Sequence, residues 1–206
     1  QPAKLAALEG HYAAEGPADM YLFGWVDDAS GTVTGLGMPG GLSMLLHFDP
    51  LAPVTGLRAF PPEDRPGQVN AVFQFYHLMV AIGMALIALS LYSFWFWWKG
   101  KLENQTRLLR VLTFAVVLPQ LANQAGWFAA EMGRQPWVVY GLLRTSDALS
   151  EAVRAEQVLF SLVLFFLIYA VLFGLFIYLL RKKILHGPEE DVAAGPISHH
   201  RDTAFS

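Results

Sequence analysis

Apolar residues fill three long blocks of this chain, and polar residues gather before and between them. The blocks run from about Ala71 to Trp98, from about Leu108 to Glu131 and from about Val158 to Leu180. Each approaches the roughly 20 residues a helix needs to cross a bilayer. Three transmembrane helices are therefore predicted. Residues 1–68 break the pattern, being rich in Gly and Pro, with turn chemistry at Pro61-Pro62 and Asp64-Arg65-Pro66-Gly67. Within them Leu42-Ser43-Met44-Leu45-Leu46 is apolar but too short to span, and reads as an interfacial piece. Residues 187–206 are polar and read as a disordered tail. The predicted class is an all-α membrane protein. Its segments are an irregular loop region (1–68), a three-helix transmembrane region (69–186) and the tail (187–206).

Composition supports a membrane location. Of 206 residues, 54% are hydrophobic and only 15% charged, where a soluble domain carries roughly 25% charged residues. Fifteen Phe and six Trp suit lipid-facing helices and interface belts. A net charge of −3 gives no electrostatic footprint for nucleic acid. Cysteine is absent, which excludes disulfides, thiolate metal sites and haem attached through C-x-x-C-H. The chain opens at Gln1 and shows no signal peptide, which fits a piece of something longer.

Basic residues set the expected orientation. Lys99, Lys101, Arg107 and Arg110 flank the loop between the first two helices, and Arg181, Lys182 and Lys183 follow the third. The positive-inside rule makes these ends cytoplasmic. Residues 1–68, the Arg134–Gln157 loop and the outer ends of the helices are then extracytoplasmic. The tail is cytoplasmic, and its His199-His200 pair is a weaker metal candidate than an ordinary solvated segment.

The second block is not uniformly apolar. Gln120, Gln124, Trp127 and Glu131 follow spacings of four, three and four, so they share one helix face, with Asn123 beside them. Pro119 is expected to kink this helix. Polar groups inside a membrane are costly unless matched. They either glue helices together or build a site in which Glu131 is a ligand or proton carrier. Ala122, Ala125, Gly126, Ala129 and Ala130 leave room for a flat group or another helix. On the first helix, His77 and Met79 are two apart and point to different faces. Met79 alone reads as core filling. His77 reads as an interface histidine, a cofactor neighbour or a proton relay. At the start, Gln1–Glu9 is a short amphipathic piece carrying Lys4 and Glu9, either a solvated turn or polar groups addressing a small ligand.

Three stretches carry a resemblance, and they occur in the family's order. Gly133-Arg134-Gln135-Pro136-Trp137, continuing through Val138-Val139-Tyr140-Gly141-Leu142-Leu143-Arg144-Thr145, is the most specific. Tyr76-His77-Leu78-Met79-Val80 and Gln1–Glu9 reinforce it. Together they resemble subunit I of cytochrome bd quinol oxidases, in the short-loop branch. The resemblance implies the C-terminal part of a haem-bearing quinol oxidase subunit that oxidises quinol at the outer face and reduces dioxygen to water, generating a proton gradient. It implies a low-spin haem b, a high-spin haem b, and a haem d or a second b-type haem in its place. Met79 would be an axial ligand of the low-spin haem iron and Glu131 that of the high-spin haem iron. Arg134 would face haem propionates, Trp127 would lie beside the haems, and His77 would tune the low-spin haem from a position where some members carry Arg. Lys4 and Glu9 would serve quinol oxidation.

The family's N-terminal half, which holds the His partner of Met79 and the haem d ligand, lies outside this sequence. The implied partners are that half, a second oxidase subunit with small single-helix subunits as further candidates, lipid and quinol, in the bacterial cytoplasmic membrane. The rival reading is a non-enzymatic three-helix accessory subunit.

Overall fold

The computed structural model describes residues 1–149 and 153–186, so the expectations for the tail and for His199-His200 lie outside the described residues. The chain divides into two units, Gln1–Leu149 and Ser150–Ser206.

The first unit opens with helix α1 (Pro2–Leu8), then a hairpin of β1 (Met20–Asp27) and β2 (Thr32–Met38), then α2 (Gly41–His47). Short 3-10 turns at Leu57–Ala59 and Pro62–Asp64 lead into α3 (Val69–Trp98). A basic turn leads on to α4 (Thr106–Ala115) and α5 (Leu118–Arg134), and a small hairpin of β3 (Trp137–Val139) and β4 (Leu143–Arg144) closes the unit. The second unit contains α6 (Ala155–His186), apolar all round, with Lys183 and His186 in its last turn. Three segments, Pro62–Trp98, Thr106–Arg134 and Ala155–His186, are long and apolar enough to cross a membrane.

The mostly helical architecture matches expectation, with two differences. The second span is two helices, not one kinked helix. Val116 and Val117 keep right-handed dihedrals, but the ladder slips there. Pro119, in the first turn of α5, has no N–H to donate and its ring crowds the preceding turn, so the break falls just before it. The second difference lies in 1–68, read as irregular, where β1 and β2 pair antiparallel in register Trp25↔Thr34 and Tyr21↔Gly37, with a bulge between Tyr21 and Phe23. Its turn is built by Asp27: one carboxylate oxygen accepts from Ala29 N at 3.0 Å and the other from Ser30 Oγ at 2.7 Å. Gly31, at φ +67°, completes the turn in a conformation other residues rarely adopt.

The core lies where α1, the hairpin and the start of α3 meet. Ala3, Ala6, Ala7, Val26, Leu57, Val69, Val72 and Phe73 form one buried cluster. A helix of seven residues has little intrinsic stability; α1 is held by burying its alanine face. α3 and α5 pack through small residues, with Ala125, Ala129 and Gly133 buried on the facing side, the arrangement that lets membrane helices approach closely.

The hairpin depends on Gly35. A Cβ there would overlap Phe23 O and come within 2.5 Å of Gly24 Cα. Gly35→Val is therefore expected to unpair β1 from β2, read as new proteolytic cleavage within 20–38 of the intact complex. A wild-type cleavage pattern in that variant would refute this account of the hairpin.

Candidate functional site

Three polar constellations stand out against the apolar frame. The first centres on Glu9, the C-cap residue of α1. Gly10 follows with φ +65°, and a Cβ there would lie 2.8 Å from Val33 and 3.1 Å from Val26. Only glycine lets the chain turn so tightly against the hairpin, and the turn aims Glu9 inward. Glu9 is 4% exposed, and its Oε2 has no hydrogen-bond partner. Burial pushes its carboxyl above the usual range, with His77 and Tyr76 of α3 pulling the other way. Beside it lies a cavity of about 450 Å³, lined by Glu9, Tyr21, Tyr76 and His77 at one end and by the apolar Leu22, Val80 and Met84. An apolar chamber with a few convergent polar groups is the usual form of a small-molecule site.

The second constellation fixes that cavity's wall. Three side chains of α3, at i, i+4 and i+7, meet the backbone of β1. Asn70 Oδ1 accepts from Val26 N at 3.2 Å. Gln74 Nε2 donates to Gly24 O at 2.7 Å. His77 Nε2 lies 2.8 Å from Tyr21 O and its Nδ1 2.8 Å from Phe73 O. The imidazole also stacks on Phe73, centroids 3.8 Å apart. Met79, two residues on, faces the other way: its sulfur lies 2.5 Å from where a Cβ on Gly126 would stand, so glycine makes room for the thioether at the α3–α5 seam.

The third constellation is the polar face of α5. Gln120, Asn123, Gln124, Trp127 and Glu131 lie on the side of α5 opposite Ala125 and Ala129. Glu131, expected to be buried, is instead 43% exposed at its side chain, ion-paired with Arg134 at 40%. Trp127 is 59% exposed. Nothing within the first unit covers this face. Lys4 reaches from α1 to pack on Gly133 and shares a cavity of about 350 Å³ with Arg134. Lys4 and Glu9, expected to act together, thus line different cavities, because five positions along a helix turn them to different neighbours, α5 and α3.

Among the described residues no three His, Asp or Glu side chains are arranged for a metal ion. A prosthetic group here would be held by single donors and not by a cluster of ligands. The donors present suit haem iron: a thioether recessed at a helix seam, and a carboxylate with an indole and a guanidinium on one exposed face of a membrane helix.

Asn70, Gln74 and Tyr76 were not singled out from the sequence, though polar residues at i and i+4 on an apolar helix were a usable signal. The Gly133–Trp137 block proves to be a closure as well. Arg144 donates to Asp64 Oδ1 at 2.7 Å and sits over the Trp137 ring at 5.0 Å, while Thr145 Oγ1 donates to Gln135 Oε1 at 2.7 Å.

The fold and these constellations define a multi-span membrane protein with a buried acid beside an apolar chamber and a polar helix face that the unit itself leaves uncovered. The chain belongs to the cytochrome bd terminal oxidase subunit I family, whose model matches residues 1–188. It is 33% identical over 201 residues to the cytochrome bd ubiquinol oxidase subunit 1 of Bacillus subtilis, covering 93% of this chain and 43% of that protein. Identity is also 33% to the putative cytochrome bd menaquinol oxidase subunit I of the same organism, over 87% of this chain and 40% of that one. The bd oxidase structure from Geobacillus thermodenitrificans matches with TM-score 0.72 and 32% identity, covering 91% of this chain and 43% of that chain. The chain spans less than half the length of these relatives.

The clamp on β1 generates one expectation. His77→Leu leaves Tyr21 O without its side-chain donor, at a cost of about 1–3 kcal/mol. Amide exchange over Tyr21–Trp25 in the intact complex should quicken, while the α3–α5 seam stays protected. Unchanged exchange in β1 would show that His77 does not hold the hairpin.

Proposed function

We propose that this chain is the C-terminal part of the haem-bearing subunit of a bacterial quinol oxidase, which oxidises quinol and reduces dioxygen to water. The observation that carries the reading is the buried, under-partnered Glu9 carboxyl at the polar end of an apolar cavity. A quinol headgroup needs a proton acceptor for its hydroxyl and an apolar bed for its ring and tail. Glu9 supplies the first, and Leu22, Val80 and Met84 the second. A carboxyl with a raised pKa takes a proton near neutral pH better than an exposed one.

The family implies haem, and the donor set fits it. Met79 would hold the low-spin haem b iron and Glu131 the high-spin haem b iron. A haem d, or a second b-type haem, would take its ligand from outside this chain. When bound, these groups would supply one-electron transfer and the centre for oxygen reduction. Arg134 and Trp127 share the face with Glu131 and would set charge and packing there. Lys4 stands beside Arg134, and the two cations suit haem propionates; this favours a role for Lys4 beside that pair rather than in Glu9's cavity. His77, two residues before Met79 on α3, would tune the low-spin haem. The N-terminal half of the subunit and a second oxidase subunit would cover the polar face of α5. The basic residues at Lys99–Arg110 and Arg181–Lys183 support, by the positive-inside rule, a reading in which residues 1–68 lie on the outer side of the cytoplasmic membrane.

Two substitutions test the reading in the assembled oxidase. Glu9→Gln should lower quinol turnover about 10²-fold with haem spectra intact; wild-type turnover would overturn the role of Glu9. Glu131→Gln keeps the side chain's size but removes its charge, so high-spin haem signals and oxygen reduction should fall together. Intact high-spin signals in that variant would return α5's polar face to plain helix contact.

A further inference from the structure

Glu9 stands in the wall between two spaces. On one side is the apolar cavity. On the other is a pocket of about 310 Å³ bounded by His11, Tyr12, Asp19, Thr32 and Arg58. Glu9 and Tyr21 line both, and the remaining walls are separate. Asp19, Thr32 and Arg58 are exposed, so the second pocket leads to the surface. Its volume holds several waters at about 30 Å³ each, and its polar lining gives them partners. The apolar cavity, walled by Leu22, Val80 and Met84 away from Glu9, offers a proton no such steps.

We propose that this second pocket is the route by which protons taken up by Glu9 leave for the outer surface, with His11 and Asp19 as its relay groups; the proposal rests on the quinol reading of the apolar cavity. A quinol hydroxyl gives its proton to the Glu9 carboxylate as its electrons go to the haem acceptor of the proposed activity. The protonated carboxyl then hands that proton to water in the second pocket and is restored. Oε2 carries no hydrogen bond from the protein, so its lone pairs are uncommitted, and the carboxyl as a whole borders the second pocket. His11 Nε2 donates to Val54 O at 3.0 Å, which leaves Nδ1 of the neutral ring able to take a proton. Asp19 is held by Gly40 N–H on Oδ1 at 2.9 Å, leaving its second oxygen for water. Tyr12 is not a relay, since its hydroxyl is committed to Asp28 at 3.2 Å. The titratable and charged groups facing Glu9 are then Tyr76 and His77 from α3, Tyr21 from β1, His11 and Tyr12 from the following loop, and Asp19 and Arg58 at the mouth.

The test uses the intact oxidase with a soluble short-chain quinol. Asp19→Asn combined with His11→Phe should lower kcat at least about tenfold, leave KM and the haem spectra unchanged, enlarge the solvent deuterium effect on kcat, and respond to added imidazole. Thr32→Trp, at the exposed mouth, should likewise lower kcat and enlarge the solvent deuterium effect, without an imidazole response because His11 is intact, and so guards against misfolding of the double variant. Leu22→Trp, in the apolar cavity, should instead raise KM. Unchanged kcat and solvent isotope effect in both Asp19→Asn/His11→Phe and Thr32→Trp, with KM raised in Leu22→Trp, would overturn the exit route and leave the quinol cavity standing. Unchanged KM in Leu22→Trp would overturn the quinol cavity itself.

Discussion

The ladder from Asn70, Gln74 and His77 to the backbone of β1 is the contact on which the N-terminal part of the first unit depends. A two-stranded hairpin is marginal by itself, and a strand edge with open backbone groups needs covering. α3 covers it with side chains at i, i+4 and i+7, donating to Gly24 O and Tyr21 O and accepting from Val26 N. Asn70 is tied from both ends, since its own N–H donates to Asp28 Oδ1 at 2.9 Å. Once β1 lies on α3, Val26 and Val33 can fill the space beside Gly10. That packing turns the chain and sends Glu9 inward. Tyr21, held through its carbonyl, then stands in the wall of both spaces that Glu9 borders.

α5 obeys a different constraint. Its small-residue side meets α3, and most of its polar side is left open by the first unit, with α1 reaching only its Arg134 end. In a bilayer, amides and a carboxylate facing lipid are disfavoured by several kcal/mol in sum. The face therefore calls for protein or a prosthetic group, and the chain spans under half of its relatives. The half-exposed Glu131–Arg134 pair has the same origin: each neutralises the other within this unit, and both remain available to a third group.

Much of this was legible in the sequence, for physical reasons particular to each element. The three spans were, because lipid imposes length and apolarity on every spanning helix. Pro119 announced a distortion, but its form was set by where the ladder could slip. The opposite facing of His77 and Met79 followed from helix geometry. The hairpin was hidden because Gly24, Gly35 and Gly37 interrupt its alternation, and because Leu22, Phe23, Trp25 and Leu36 remain exposed within this chain. The burial of Glu9 was hidden too. It depends on Gly10, and on a partner surface contributed more than twenty residues away.

The separation of Lys4 from Glu9 shows how the two ends of the proposed site are joined. α1 is a wedge: Ala3, Ala6 and Ala7 are buried, Lys4 packs on Gly133 of α5, and Glu9 reaches toward Tyr76 and His77 of α3. Alanine has no side-chain rotamers with which to absorb a shift. The buried alanine face therefore fixes how α1 sits on its neighbours. Lys4 beside Arg134 and the buried acid are thus positioned by one short helix. Its seven residues put their alanines against the core, so a single packed face sets the position of Lys4 on α5 and of Glu9 on α3 together.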